Sequence, residues 1–402
     1  MKTKVIVSQY GARRRYLVPN IFYNAKVLSC LYTDSCNHSI LGKLSKFCEN
    51  HLFSFTPLSK LARRETCIPR CYVKSSDFLQ IKLLILRLLR TSTFRYILEI
   101  FQGNAKRFVS WGTNNATHLY TMYFENIEFT KYCKNHGLKI IADIYEDPYI
   151  FEELQHEINN CSELQCVLHL KKQYEDYYRL RREYIDEILD VADIYVIPSE
   201  FVMNRLQRSS AYSADKAHVI PYASSLQPSK SCSNPIKGRI LWVGNDPVRK
   251  GLVYCQRASH ILKQNGNQID FRIIGPIMPE IVNSADFHDL NFVGYCNKEQ
   301  LENELIHADM VVFPTLSEGF AASLLEAAAY GIPIITSHAS GFSKNSPAIF
   351  VNPRDVDKIV ECVESLLNNR ALRDEISMKM LEYSDSLSQD TFANSVLELL
   401  EI

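Results

Sequence analysis

The chain has 402 residues, 46% hydrophobic and 22% charged, with 14 Gly and 15 Pro, a composition that excludes a disordered, collagen-like or coiled-coil protein. At ~150 residues per domain this length predicts two or three domains. Lys and Arg (45) balance Asp and Glu (45), which argues against wholesale nucleic-acid binding, and no apolar run approaches the ~18–20 residues that cross a bilayer.

In chain order, the opening residues turn polar at Ser8, too soon for the apolar region of an export signal, so a soluble, cytoplasmic chain is expected. Residues 4–7 are predicted as a strand, 16–25 as a helix and 27–32 as a strand. A basic loop around 60–70 leads to a helical stretch over 78–101. Residues 108–111 read as a strand, 119–135 as a helix and 138–142 as a strand. An acidic, aromatic helical region over 152–190 leads to a strand at 194–197, a helix capped by Pro198-Ser199-Glu200, and a strand at 218–220. Such alternation builds a parallel sheet with helices on both faces.

Residues 221–238 are polar and loop-like, as a linker would be. The alternation then restarts, with strands expected at 239–243, 271–274, 292–293, 310–313, 332–336 and 348–351. Helices are expected at 251–264, 298–307, 321–330 and 356–367, and two more close the chain. The reading is therefore α/β: two open parallel-sheet domains with a ligand between them at the strand C-termini. The expected boundaries are 1–228 for the first domain, 229–237 for the linker and 238–384 for the second domain. Residues 385–402 are expected to form a helix packing back on the first domain.

The balanced charge conceals a dipole. Residues 1–130 hold 19 Lys and Arg against 7 Asp and Glu, a balance of +12, which leaves −12 for the rest. Either the first part meets something anionic, or the two parts attract each other across a cleft. The twelve cysteines include no C-x-x-C pair, so neither zinc nor disulfides are expected. No G-x-G and no G-x-x-x-x-G-K-[ST] occurs. Asp355-Val356-Asp357 resembles a metal-binding D-x-D, but it opens a helix and reads as a cap.

The most informative run extends from Pro314 to Ile335: Pro314-Thr315-Leu316-Ser317-Glu318-Gly319-Phe320-Ala321-Ala322-Ser323-Leu324-Leu325-Glu326, then an alanine-rich helix that Gly331 ends before Pro333-Ile334-Ile335. An apolar strand stops at Pro314, and a small-residue loop opens a helix whose N-terminal amides suit a phosphate or diphosphate. Glu318 sits at the mouth, and Glu326 lies eight residues on, about two turns away. Carboxylates beside a phosphate site are unfavourable unless they bind something else, and sugar or ribose hydroxyls are natural donors to them. The plainer alternative makes Glu318 a helix N-terminal charge and Glu326 a surface residue.

Glu318, seven residues, Glu326 resembles the E-x7-E signature of GT4-type retaining glycosyltransferases (glycosyl transferase group 1, GT-B fold). The segments Ala192–Val202, His218–Ala223, Ile240–Gly244 with Arg249-Lys250-Gly251, Ile273–Gly275 and Phe292–Tyr295 follow the family's order. The resemblance implies two Rossmann-like domains facing a central cleft, and a hexosyltransferase of glycan biosynthesis that uses a nucleotide diphosphate sugar as donor substrate, with no cofactor and no metal. It implies that Glu318 contacts the donor sugar and that the Gly319, Phe320 and Ala321 amides face the diphosphate. It further implies that Glu326 binds ribose and Lys250 neutralises the leaving group. Gly244 and Asn245 border the donor; the family's arginine at 245 is absent, and Arg249 is the candidate to replace it. In an extended segment, however, Arg249 and Lys250 would point apart.

The first-domain turn Gly11-Ala12-Arg13-Arg14-Arg15 resembles the family's glycine loop, with Gly11 on the donor side and Arg13 on the acceptor side. Three cations at a helix start oppose its dipole, so an anionic partner is expected there. Tyr145 occupies the place of a family histidine near the sugar and is the other acceptor-side candidate. The basic apolar run over 82–95 reads as a core helix, or as peripheral contact with an anionic membrane at its inner face and a lipid-linked acceptor. Two other readings stay open: a sugar phosphorylase or disaccharide synthase of the same fold, and a non-catalytic nucleotide-sugar-binding partner in a glycan-assembly complex.

Overall fold

The structure is a computed structural model that describes residues 2–51, 59–88, 94–223 and 233–401. Residues 229–232 of the expected linker, and Arg90 of the basic run, lie outside them. The first sheet holds β1 (Val5–Ser8), β2 (Leu28–Thr33), β3 (Val73–Ser75), β4 (His118–Met122), β5 (Lys139–Asp143), β6 (Ile194–Ile197) and β7 (Ala217–Val219) in the order 3-2-1-4-5-6-7. The second holds β8 (Arg239–Val243), β9 (Asp270–Ile274), β10 (Asn291–Gly294), β11 (Met310–Phe313), β12 (Ile334–Thr336) and β13 (Ile349–Phe350) in the order 10-9-8-11-12-13. All pairings are parallel. Helices cover both faces, so β1 and β11 are buried throughout, which is why they read as unbroken apolar runs.

Each sheet reverses its strand order once, between β1 and β4 and between β8 and β11. At such a switch point the connections depart to opposite faces and leave a crevice beyond the strand C-termini. The loops at 9–16, 244–251 and 314–321 all leave from these points.

Two expected elements change places. Residues 108–111, expected as a strand, are the last turn of the helix Phe94–Trp111, and residues 119–122, expected as helix, form most of β4. Phe101, Ala105 and Phe108 recur at helical spacing and pack on one core. His118–Met122 instead follows a turn in which Asn114 and Asn115 take φ of 48° and 54°, and its aromatic and β-branched residues suit a pleated surface. Strand β3 falls between the expected loop at 60–70 and the expected helix at 78–101; three residues carry too little periodicity to be read. Asp355 caps its helix, accepting from the Lys358 amide at 3.0 Å.

Packing does not follow chain order. The helix Phe151–Asn160 and the 3-10 segment Ser162–Leu170 precede the second sheet, yet Leu154, Ile158, Leu164 and Val167 join its core. Glu157, 1% exposed, accepts from Arg354 Nε at 2.8 Å and from the Tyr254 hydroxyl, and Glu163 accepts from Arg257 at 2.7 and 2.8 Å. In the other direction, the helix Gln389–Glu398 returns to the first sheet, where Phe392, Val396 and Leu399 share a core with Val5, Val7 and Phe22. Glu157→Ala removes one side of a buried charge pair. Such a loss costs about 3–5 kcal/mol, and Arg354, 37% exposed, recovers part of it from water. Denaturant unfolding should therefore show a loss near the lower end, about 3 kcal/mol.

Candidate functional site

The site is built on the loops that follow β8 and β11. At Gly244 a Cβ would come within 2.5 Å of Lys250 Cδ, so glycine leaves room for the lysine stem. The chain then winds: the Lys250 amide donates to the Asp246 carbonyl at 3.1 Å, and the Gly251 amide to that of Val248 at 3.1 Å. Gly251 has φ +68°, and a Cβ there would lie 2.0 Å from the Pro314 carbonyl oxygen. The turn brings Arg249 and Lys250 to the same side, which the extended segment considered above would not do. Lys250 Nζ lies 2.5 Å from Glu318 Oε1, and Arg249 NH1 lies 2.8 Å from the same oxygen. Arg249 also donates to the Ser317 carbonyl at 2.8 Å and to Asp246 at 3.2 Å.

Electrostatics follow from this burial. Burial pushes the Glu318 carboxyl up, but Arg249 and Lys250 outweigh it and hold the group below the ordinary glutamate range. Burial pulls the Lys250 ammonium below the ordinary lysine range, with Glu318 offsetting part of the shift.

The loop at 314–321 has a mixed set of amides. Those of Glu318 and Ala321 donate to the carbonyls of Ala339 (2.8 Å) and Ser340 (2.9 Å). Of the Gly319, Phe320 and Ala321 amides, all three expected to face a ligand, that of Ala321 is already taken by a carbonyl of the chain. Those of Gly319 and Phe320 have no acceptor among the described residues. Ser323 Oγ, in the first turn of the helix Ala322–Ala329, is buried without a partner. Open donors at a helix N-terminus suit an anion.

Gly319 is also where the two halves touch. A Cβ there would lie 1.9 Å from the Tyr145 carbonyl oxygen, and Ser199 Oγ donates to the Gly319 carbonyl at 2.7 Å. Beside this contact lies a cavity of about 390 Å³, with Tyr145, Glu146 and Asp147 on one wall and Asn245, Arg249 and Glu318 on the other. A smaller cavity of about 200 Å³ lies between Arg13, Arg14 and Tyr222, and Tyr145 lines both.

The first-domain candidates are arranged differently from expectation. Gly11 lines neither cavity, and its amide donates to Asp34 at 2.8 Å. Arg13 pairs with Glu125 and donates to the Tyr145 hydroxyl at 2.9 Å; Arg14 pairs with Asp143 at 3.1 Å and lies 3.5 Å from the Tyr222 ring centroid. An anionic partner for three arginines is thus reduced to Arg15, since internal carboxylates already answer the other two. Arg14, Arg15 and Tyr16 take φ of 47°, 52° and 60°, a left-handed turn that costs about 1–2 kcal/mol per residue and is held by these anchors. Glu326 is half-buried, lines neither cavity and has no hydrogen-bond partner among the described residues. Burial pushes its carboxyl up, partly offset by the charge of Arg15.

Sequence reasoning missed Asp147 and Asp246. Asp147 accepts from Arg205 at 3.0 Å and from Ser317 Oγ at 3.2 Å, joining both halves, and Asp246 caps the turn that presents Arg249. The Asp-Pro pairs at 147–148 and 246–247 were the available signal. Among the described residues, a metal-ligating type of cluster, His260, His288 and Asp289, lies outside both cavities, where Asp289 already accepts from Lys263 at 3.3 Å.

Residues 237–369 match the model of the family described as glycosyl transferases group 1. Among curated proteins, an amylovoran biosynthesis glycosyltransferase, AmsK of Erwinia amylovora, is 32% identical over 115 residues, 26% of this chain and 28% of that protein. The matched regions span between 28% and 56% of the curated relatives' lengths. Among solved structures, sucrose-phosphate synthase from Thermosynechococcus elongatus superposes with a TM-score of 0.65 at 15% identity, over 100% of this chain and 98% of that one. S. aureus TarM, solved with fondaparinux, α-GlcNAc-glycerol and UDP, gives a TM-score of 0.63 at 10% identity over 100% of both chains. At these identities the structural likeness speaks for the fold.

Proposed function

We propose that this chain, whose residues 237–369 match the glycosyl transferases group 1 model and whose paired sheets have the GT-B fold, is a retaining glycosyltransferase. It moves a hexose from a nucleotide diphosphate sugar to an acceptor hydroxyl in polysaccharide or glycolipid assembly, on the cytoplasmic side of the cell. The observation that carries this reading is the convergence of Arg249 and the open Gly319 and Phe320 amides around Glu318 at the interdomain cavity, with Lys250 buried behind Glu318 and paired to it. The neighbour solved with UDP, and the relative named for amylovoran biosynthesis, support the donor class and the setting.

In this reading residues 238–384 hold the donor and residues 1–228 face the acceptor. The bond between the anomeric carbon and the diphosphate oxygen breaks as Lys250, Arg249 and the two amides stabilise the growing negative charge. The departing oxygen takes the acceptor's proton, and the acceptor oxygen bonds to the same face of the sugar. Glu318 accepts from the sugar's hydroxyls, and Glu326 accepts from the ribose.

A thermal-shift panel of UDP-, GDP- and ADP-sugars, followed by assignment of the product anomer by NMR, tests this reading. One donor class should raise the melting temperature, and Glu326→Ala should reduce that shift. If no nucleotide sugar shifts the protein and none is consumed, the reading fails; sugar 1-phosphate appearing in phosphate buffer would point instead to a phosphorylase.

A further inference from the structure

Of the thirteen large apolar side chains exposed among the described residues, six fall in one stretch: Ile40, Leu44, Phe47, Tyr72, Ile81 and Ile85. Ile40, Leu44 and Phe47 follow one another at helical spacing on the helix Ile40–His51, and Ile81 and Ile85 do so on Phe78–Leu88. Ile40 is 84% exposed, far beyond what a scattered surface residue needs. The second helix is apolar on both sides, because Leu79, Leu83 and Leu86 pack on the first-domain core while Ile81 and Ile85 face outward. The two helices start from one point: Asp77, just before the second, accepts from the Leu41 amide at 2.9 Å.

The same stretch is strongly cationic. Residues 34–99 contain eleven Lys and Arg against five Asp and Glu, a balance of +6, and Asp34 answers Arg64. Two more of these five acids are engaged locally, Glu65 with Lys46 and Asp77 at the helix start. Lys43 and Lys82 are exposed beside the apolar residues. Apolar side chains flanked by unbalanced cations match an anionic lipid surface, which accepts the first into its acyl boundary and attracts the second.

We infer that this face of the first domain, centred on Ile40, Leu44, Ile81 and Ile85, seats the protein on an anionic bilayer. The inference goes beyond the transfer reaction and does not depend on it. The full chain is sedimented with vesicles of phosphatidylglycerol and phosphatidylcholine in equal parts, and with phosphatidylcholine vesicles alone. At 0.1 M salt the protein should pellet with the first and stay in solution with the second. Ile81→Asp with Ile85→Asp should lower the partition coefficient at least tenfold, as should Ile40→Asp with Leu44→Asp. Lys43→Glu with Lys82→Glu, and separately 0.5 M salt, should weaken binding without abolishing it. All six positions are exposed, so the variants should keep the parent's thermal unfolding and its response to the donor panel. Three outcomes overturn the inference: no binding to anionic vesicles, equal binding by parent and apolar variants, or a dimer by light scattering that the Ile81/Ile85 variant dissociates, which would give the face to a second copy.

Discussion

Glu318→Gln is expected to lower turnover about 100-fold while the nucleoside diphosphate product binds as tightly as before, or more tightly. The carboxylate takes a hydrogen bond from Lys250 and an ion pair from Arg249, so it neutralises the cations that a diphosphate needs. An amide of the same shape removes one negative charge and leaves both cations in place, which favours an anion in the cavity. It also weakens the acceptor that orients the sugar, and a misplacement of about 1 Å at a reacting centre costs on the order of 100-fold. Turnover and product inhibition, measured together, separate these effects. The pH profile adds a sign: Arg249 and Lys250 depress the Glu318 pKa, so activity is held above it and lost as pH falls through it, and the Gln variant should lack that acid limb. Unchanged turnover would reduce Glu318 to a structural partner of two buried cations.

The second-domain elements around the cavity were legible because each carries local chemistry. Met310–Phe313 is buried on both faces and reads as an unbroken apolar strand; Gly319 carries no side chain where the loop passes the Tyr145 carbonyl; and Gly331 ends the helix in a left-handed conformation. The first-domain loop was harder to read. Nothing in Gly11–Arg15 announces that Glu125 and Asp143, more than a hundred residues away, neutralise Arg13 and Arg14. The same limit hid the convergence of Arg249 and Lys250, because extended and wound turns share that dipeptide and Asp246 decides between them by capping the turn. The docking of Phe151–Asn160 on the second core also escaped, since an amphipathic helix shows which face is apolar but not which core receives it.

Lys250→Met should lower turnover about 100- to 1,000-fold with little change in donor affinity, the usual scale for losing one preorganised group that stabilises transition-state charge. Methionine keeps the unbranched stem that fills the space beside Gly244 and near the Phe313 ring, so packing is retained and only the ammonium is lost. Glu318 keeps Arg249 as its partner, which limits the cost to folding. The split between turnover and affinity follows from when charge appears: the bound donor already has its diphosphate, but the leaving oxygen gains charge only as the glycosidic bond breaks. Among the described residues that line the cavity, Arg249 is the one cation left to share that charge, so the loss should be large. Burial draws the Lys250 pKa below the usual lysine value, and the active form is the ammonium, so the parent's rate should fall as pH rises through that lowered pKa. The Met variant should show no such alkaline limb. Loss of donor binding equal to the loss of turnover would instead assign Lys250 to holding the ground state.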